Sequence, residues 1–73
     1  MVGVHLRAAR EEAGLTQEQL ARAAGVDRTY VSLLERDHRS PTLTTLFALC
    51  RAMNIKASVL IARMERTSGE RQG

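Results

Sequence analysis

The chain has 73 residues with one Cys, one Phe, one Tyr and no Trp, and a formal net charge of +3. That length makes one small domain with an aliphatic core. Such a domain buries only about 60% of its unfolded surface, so a second copy is a natural supplement. A single Cys excludes an internal disulfide, and no Cys/His cluster has metal spacing. No apolar run reaches the roughly 18 residues of a membrane span, and the N-terminus lacks the apolar block of a signal peptide. A reducing cytoplasm is the expected setting. Charge is unevenly spread. Residues 1–42 hold six Arg and six acids, so the excess lies in 43–73, where Arg51, Lys56, Arg63, Arg66 and Arg71 face only Glu65 and Glu70. Bulk charge therefore argues weakly for nucleic acid, and individual side chains must carry that argument.

Five helices and no strand are expected, an all-α fold. Helix 1 covers about His5 to Glu12, with Leu6, Ala9 and Ala13 on one face. Gly14 ends it as a C′ glycine. Thr16 and Gln19 have capping-box spacing and open helix 2, about Gln17 to Ala24. Gly25 stops it, because a left-handed backbone costs glycine little. Asp27 caps helix 3, about Arg28 to Glu35. Arg36 to Pro41 is a polar loop. Thr42, or Ser40 with Pro41 at the first position, caps helix 4, about Leu43 to Met53. Helix 5 covers about Ala57 to Arg66. Residues 1–66 form the domain, and 67–73 form a polar, Gly-bearing tail expected to be flexible.

The segment Gly14 to Glu35 carries the most information. Leu20, Ala24, Val26, Val31 and Leu34 let two short helices bury one common face. Ala21 is small where helix 3 must cross helix 2, and Gly25 makes the turn. Two helices so joined have one widespread use, which is to set the second in the DNA major groove.

On these residues, Leu6 to Ile61 resembles the phage repressor/Cro-type helix-turn-helix family, over about three-quarters of the chain. Within it, Asp27-Arg28-Thr29-Tyr30, Ser32 and Glu35-Arg36 look like the controller proteins of restriction–modification systems and small regulators on mobile elements. The resemblance implies a compact five-helix repressor-like domain that binds double-stranded DNA as a homodimer. It also implies residue roles. Gln17 and the amides of the first turn of helix 2 hold a phosphate, which suits the free N–H groups and positive end of a helix. Thr16 adds a hydroxyl contact or serves as a cap alone. Arg28 and Thr29 meet base edges, and Ser32 continues that face. Arg can donate two bonds to guanine O6 and N7. Leu33 lies beside the groove or is semi-buried. Tyr30 sets its hydroxyl on a phosphate or packs against the following loop. Arg36 and Arg39, in the loop with His38 and Ser40, grip the backbone. Arg10 and Glu35 match the family's ion pair between helices 1 and 3; the plainer reading is two independent surface charges.

Leu43, Leu46, Leu49, Met53, Ile55 and Leu60 suffice for a core in the second half. Phe47, Val59, Ile61 and Met64 are then surplus, and the family dimerises through its C-terminal helices. Cys50 reads as a small buried hydrophobe. His5 and His38 read as ordinary surface residues. Two departures stand out. Lys56 replaces the usual capping residue before helix 5. Arg22 follows Glu18 by one turn, where family activators present a second acid to RNA polymerase. That partner therefore rests on Glu18 alone.

A sequence-specific homodimeric transcription regulator, with its own promoter as a candidate target, is the leading expectation. An antitoxin or anti-regulator module binding a protein through helices 4 and 5 is the alternative. Nothing in the sequence has the makings of an enzyme site, and no cofactor, metal or small-molecule ligand is expected.

Overall fold

The computed structural model describes the backbone of residues 2–72, with side chains through Thr67. Five helices follow in order: α1 (Val2–Glu12), α2 (Gln17–Ala24), α3 (Arg28–Glu35), α4 (Leu43–Ala52) and α5 (Ala57–Gln72), with no strand among the described residues. The pair α2–α3 packs together at the centre. Helix α1 lies against α3 and α5, and α4 lies against α2 and α5.

Helix starts follow local chemistry. Thr16 Oγ1 accepts from the Gln19 amide at 3.0 Å, and the Thr16 amide donates to Gln19 Oε1 at 2.9 Å, a reciprocal capping box. Asp27 and Thr42 cap α3 and α4 by accepting from the amides of Thr29 and Thr45. Helix α5 starts at Ala57 although no side-chain cap precedes it; the Lys56 carbonyl simply accepts from the amides of Val59 and Leu60.

Helix ends share one device. After α1, α2, α3 and α4 the chain turns through a left-handed residue, at Gly14, Gly25, Asp37 and Asn54 respectively. In each case the following amide reaches back five residues: Leu15 to Arg10, Val26 to Ala21, His38 to Leu33 and Ile55 to Cys50. These bonds satisfy carbonyls that a helix end leaves open. The two glycines were legible. Asp37 and Asn54 are the short polar residues that tolerate the same conformation.

The core is aliphatic. Leu6, Leu20, Val31, Leu34, Leu49 and Leu60 are fully buried, with Ala9, Ala21, Leu46, Cys50 and Met53 beside them. Burial pushes the Cys50 thiol pKa up, which keeps it neutral and inert. One expected core residue is misplaced: Leu43 is 61% exposed, because it occupies the first position of α4, outside the turn that packs on α2.

Two boundaries also differ from expectation. Helix α1 starts three residues before His5, with Gly3 buried beneath it. Helix α5 runs six residues past Arg66, through Gln72. Thr67 explains part of that extension. Its hydroxyl donates to the Arg63 carbonyl at 3.2 Å and lies 3.0 Å from His5 Nε2 on α1. His5 is thereby a link between the first and last helices, rather than a plain surface residue. Arg63 adds an ion pair to Glu12 at 3.3 Å. The expected flexibility of 67–73 concerns side chains from Ser68 onward, and Gly73, that lie outside the described residues.

No single described helix is long and apolar enough to cross a membrane. Helices α4 and α5 meet that test only as a pair bent by 111°, and their apolar residues are the ones that build the core.

Candidate nucleic-acid interface

Helix α3 divides cleanly by face. Val31 and Leu34 are buried, and Tyr30 packs partly against the core. Arg28 and Thr29 are exposed in the first turn, and Ser32 and Leu33 are half-buried one turn later. Residues three and four apart share a helix face, so Arg28, Thr29 and Ser32 form one outward stripe. Arg36 extends it by another turn. Its Nε lies 3.4 Å from the Ser32 carbonyl, a weak tie that leaves the guanidinium largely at the surface.

The start of α2 comes to the same place. Thr16, Gln17 and Glu18 line an open cleft of about 310 Å³ with Arg28 as its fourth wall. The capping box uses the amides of Thr16 and Gln19, so those of Gln17 and Glu18 stand outside it. Amides at a helix N-terminus attract an anion. Glu18 works against that attraction, and Arg28 works for it. The cleft unites three of the expected contact residues, Thr16, Gln17 and Arg28, from two different helices.

Tyr30 and Arg39 are also neighbours. The Arg39 guanidinium carbon sits 5.8 Å from the centroid of the Tyr30 ring, at the outer limit of a cation–π contact. The loop after α3 thus touches a side chain of α3. Arg39 remains exposed, with its charge at the surface.

Behind this surface lies an ionic clamp. Arg10 Nε donates to Glu35 Oε2 at 2.6 Å and its second terminal nitrogen donates to Glu35 Oε1 at 3.1 Å. The side chains are only 11% and 4% exposed, which removes the reading of two independent surface charges. The remaining Arg10 nitrogen donates to the Leu15 carbonyl at 2.8 Å, so the loop between α1 and α2 joins the clamp. The bond to Glu35 raises the Arg10 pKa above its ordinary value, outweighing the opposing effect of burial. Gln17 contributes a further bond, from Nε2 to Glu35 Oε1 at 3.0 Å.

Sequence reasoning missed a second fastening of α3. The Gly3 amide donates to Asp37 Oδ1 at 2.9 Å, so a side chain just past α3 serves an open amide in the first turn of α1. Gly3 itself touches the end of α3 backbone to backbone: a Cβ there would sit 2.8 Å from the Leu34 carbonyl oxygen and 2.6 Å from the Glu35 carbonyl carbon. A signal existed. The face of Leu6, Ala9 and Ala13, extended back by three residues, lands on Gly3.

Among the expected dimer residues, Phe47 and Val59 are 47% and 42% exposed. Ile61 and Met64 are partly buried against the domain's own core. No group of metal-ligating side chains occurs among the described residues.

Comparison with known proteins agrees with this geometry. The helix-turn-helix family model matches residues 6–60. The immunity repressor protein of Bacillus phage phi105 is 42% identical over 60 residues; the match takes in 82% of this chain and spans 42% of the repressor's length. The crystal structure of the restriction–modification controller protein C.AhdI from Aeromonas hydrophila superposes with a TM-score of 0.78 at 39% identity, covering 81% of this chain and 89% of that one. SinR, a master regulator for biofilm formation solved in complex with DNA, superposes with a TM-score of 0.78 at 27% identity, covering 84% and 98%. With the clamp, the turn at Gly25 and the outward stripe of α3 all falling inside the matched segment, the chain belongs to the repressor-type helix-turn-helix family of DNA-binding transcription regulators.

Proposed function

We propose that this chain is a sequence-specific transcription regulator that binds an operator in double-stranded DNA as a homodimer. The observation that carries this reading is the division of α3: Arg28 and Thr29 are exposed and Ser32 half-exposed on one stripe, while Leu34 and Glu35 are locked behind it. In this reading α3 enters the major groove. Arg28 and Thr29 contact base edges, and Ser32 extends the readout. Thr16, Gln17, Tyr30, Arg36 and Arg39 hold the phosphates on either side. Arg10 and Glu35 touch no DNA and set the angle of α3. The bacterial cytoplasm is the proposed setting.

A single helix led by one arginine reads few base pairs. A two-fold dimer would set two such helices about 34 Å apart, one turn of DNA, and match a pseudo-palindromic site. Phe47 and Val59 support that arrangement, since both are large apolar side chains open to water on α4 and α5. Ile61 and Met64 would contribute only their uncovered parts. Control of its own promoter is the simplest regulatory use, because concentration is then the signal. Contact with RNA polymerase rests on the exposed Glu18, with Arg22 beside it reversing the charge.

The test begins by selecting duplexes from a random pool with the wild-type protein. Arg28→Ala should cost roughly 1–3 kcal/mol on the selected site and relax preference at one base pair. Unchanged discrimination in a gel-shift competition would refute base readout by Arg28. Uniformly weak, fully salt-sensitive binding to every duplex by the wild type would overturn the whole reading. For the dimer, Phe47→Glu should shift the protein to monomer in sedimentation at about micromolar concentration, since a charge at an apolar contact is left unpaired. An intact dimer would remove Phe47 from the interface.

A further inference from the structure

Gln17 occupies two environments at once. One N–H of its carboxamide is taken by Glu35 Oε1 at 3.0 Å. Its other side lines the open cleft with Thr16, Glu18 and Arg28. Glu35 is 4% exposed and already held by two bonds from Arg10, so it is a fixed point and not a mobile partner. The carboxamide nitrogen carries two hydrogens. One can stay on Glu35 while the second serves an oxygen in the cleft.

We infer that Gln17 is a positioning residue for base readout: by bonding Glu35 it fastens the start of α2, where phosphate is held, to the end of α3, whose first turn carries Arg28 and Thr29. This rests on the DNA-binding reading above and deepens it. A plain phosphate ligand strengthens every duplex alike. Gln17 does more, because its bond to Glu35 is the direct polar tie between the two helices among the described residues; otherwise they meet through apolar packing and the turn at Gly25, and Arg10 links Glu35 only to the Leu15 carbonyl ahead of α2. Apolar packing resists separation better than it resists small rotations, whereas a hydrogen bond to a buried carboxylate is directional. Rotation of α3 moves Arg28 relative to the phosphate site. With the Gln17–Glu35 bond in place, a phosphate seated at α2 and a base edge met by Arg28 are in fixed register, and a wrong base cannot be accommodated by rolling the helix.

The experiment compares affinities for the duplex selected by the wild type and for a random duplex, at one salt concentration. Gln17→Leu removes both N–H donors at similar length. It should weaken the selected duplex about thirtyfold and the random duplex only about threefold, so that their ratio falls about tenfold. Gln17→Lys restores a donor for Glu35 and one for phosphate, and should keep the ratio within about twofold of wild type while steepening the salt dependence. Thermal unfolding of each variant fixes the folded fraction at the assay temperature. Equal losses on both duplexes for Gln17→Leu would reduce Gln17 to a phosphate ligand and overturn the inference. So would a Gln17→Lys ratio as low as that of the Leu variant. If the wild type itself selects no duplex, the DNA-binding reading fails and the inference falls with it, a result that the variants do not produce.

Discussion

Replacing Arg10 with Met is expected to cost about 3–5 kcal/mol of folding stability, the penalty for stripping the partner from a buried charge. Glu35 would stay at its 4% exposure with only the Gln17 amide against it, and the Leu15 carbonyl would lose its donor as well. A domain of this length has a total stability of roughly 4–11 kcal/mol, so the loss removes from about a quarter to all of it. Its Tm should fall by more than about 12 °C, at about 4–8 °C per kcal/mol for a domain this small. The expected comparison is the double variant Arg10→Met/Glu35→Leu. Removing both leaves no unpaired charge, and apolar replacements of buried pairs are often neutral, so much of the loss should be recovered, short of the bonds lost to the Leu15 carbonyl and the Gln17 amide. Chemical denaturation of the two variants and wild type decides it. A single-variant cost below about 1 kcal/mol would mean a pair no stronger than one at the surface.

The pH behaviour of this difference has a definite sign. Bonding to Glu35 raises the Arg10 pKa in the folded state. A raised pKa gives stability that is complete below the unfolded value and lost only as pH climbs through the folded one. For a guanidinium that window lies in strong alkali. The stability gap between wild type and Arg10→Met attributable to Arg10 should therefore stay level from neutral to mildly alkaline pH.

The clamp and the turn differ in how they could be read from sequence. Gly25, Thr16 with Gln19, and the apolar positions Leu20, Val31 and Leu34 act within one or two turns of chain. Local spacing therefore carries their meaning, and the structure matches them residue for residue. Arg10 and Glu35 are 25 residues apart, and only the family resemblance paired them. Gln17 with Glu35, His5 with Thr67 and Gly3 with Asp37 had no such guide. Each is a polar contact between segments far apart along the chain, set by how the helices cross, and no periodicity encodes a crossing. The same limit explains Leu43. Its residue type suits a core, but its place on the first turn of α4 turns it to solvent. Residue type was also the reason α5 was expected to end at Arg66. A polar, Gly-bearing segment resembles a tail until Thr67 is seen bonding both its own helix and α1.

Gly3 offers the sharpest conflict between local propensity and packing. On propensity alone Gly3→Ala should stabilise α1 by up to about 1 kcal/mol, since glycine is a poor helix former. Packing opposes it. The new methyl would press on the carbonyl groups of Leu34 and Glu35, which are backbone and cannot swing aside as a side chain would. That end of α3 is held on three sides: by its own return bond from His38 to Leu33, by the Arg10–Glu35 clamp, and by Asp37. Either α1 lifts away and gives up the Gly3–Asp37 bond, or α3 tilts and strains the clamp. Overpacking a tight contact typically costs about 1–3 kcal/mol and occasionally more, and rigid backbone on the far side favours the upper end. We expect a net loss of about 2–3 kcal/mol in chemical denaturation, with propensity recovering part of the steric cost. Ala8 supplies the control, being exposed on the same helix. There Ala8→Gly should cost about 1 kcal/mol by propensity alone, so the two exchanges of the same pair of residues both destabilise, for opposite reasons. A Gly3→Ala protein more stable than wild type would show that α1 does not approach α3 this closely. The stability loss should also reach DNA binding if α3 enters the groove as proposed, because the close contact that the methyl disrupts is one of those that hold the far end of that helix.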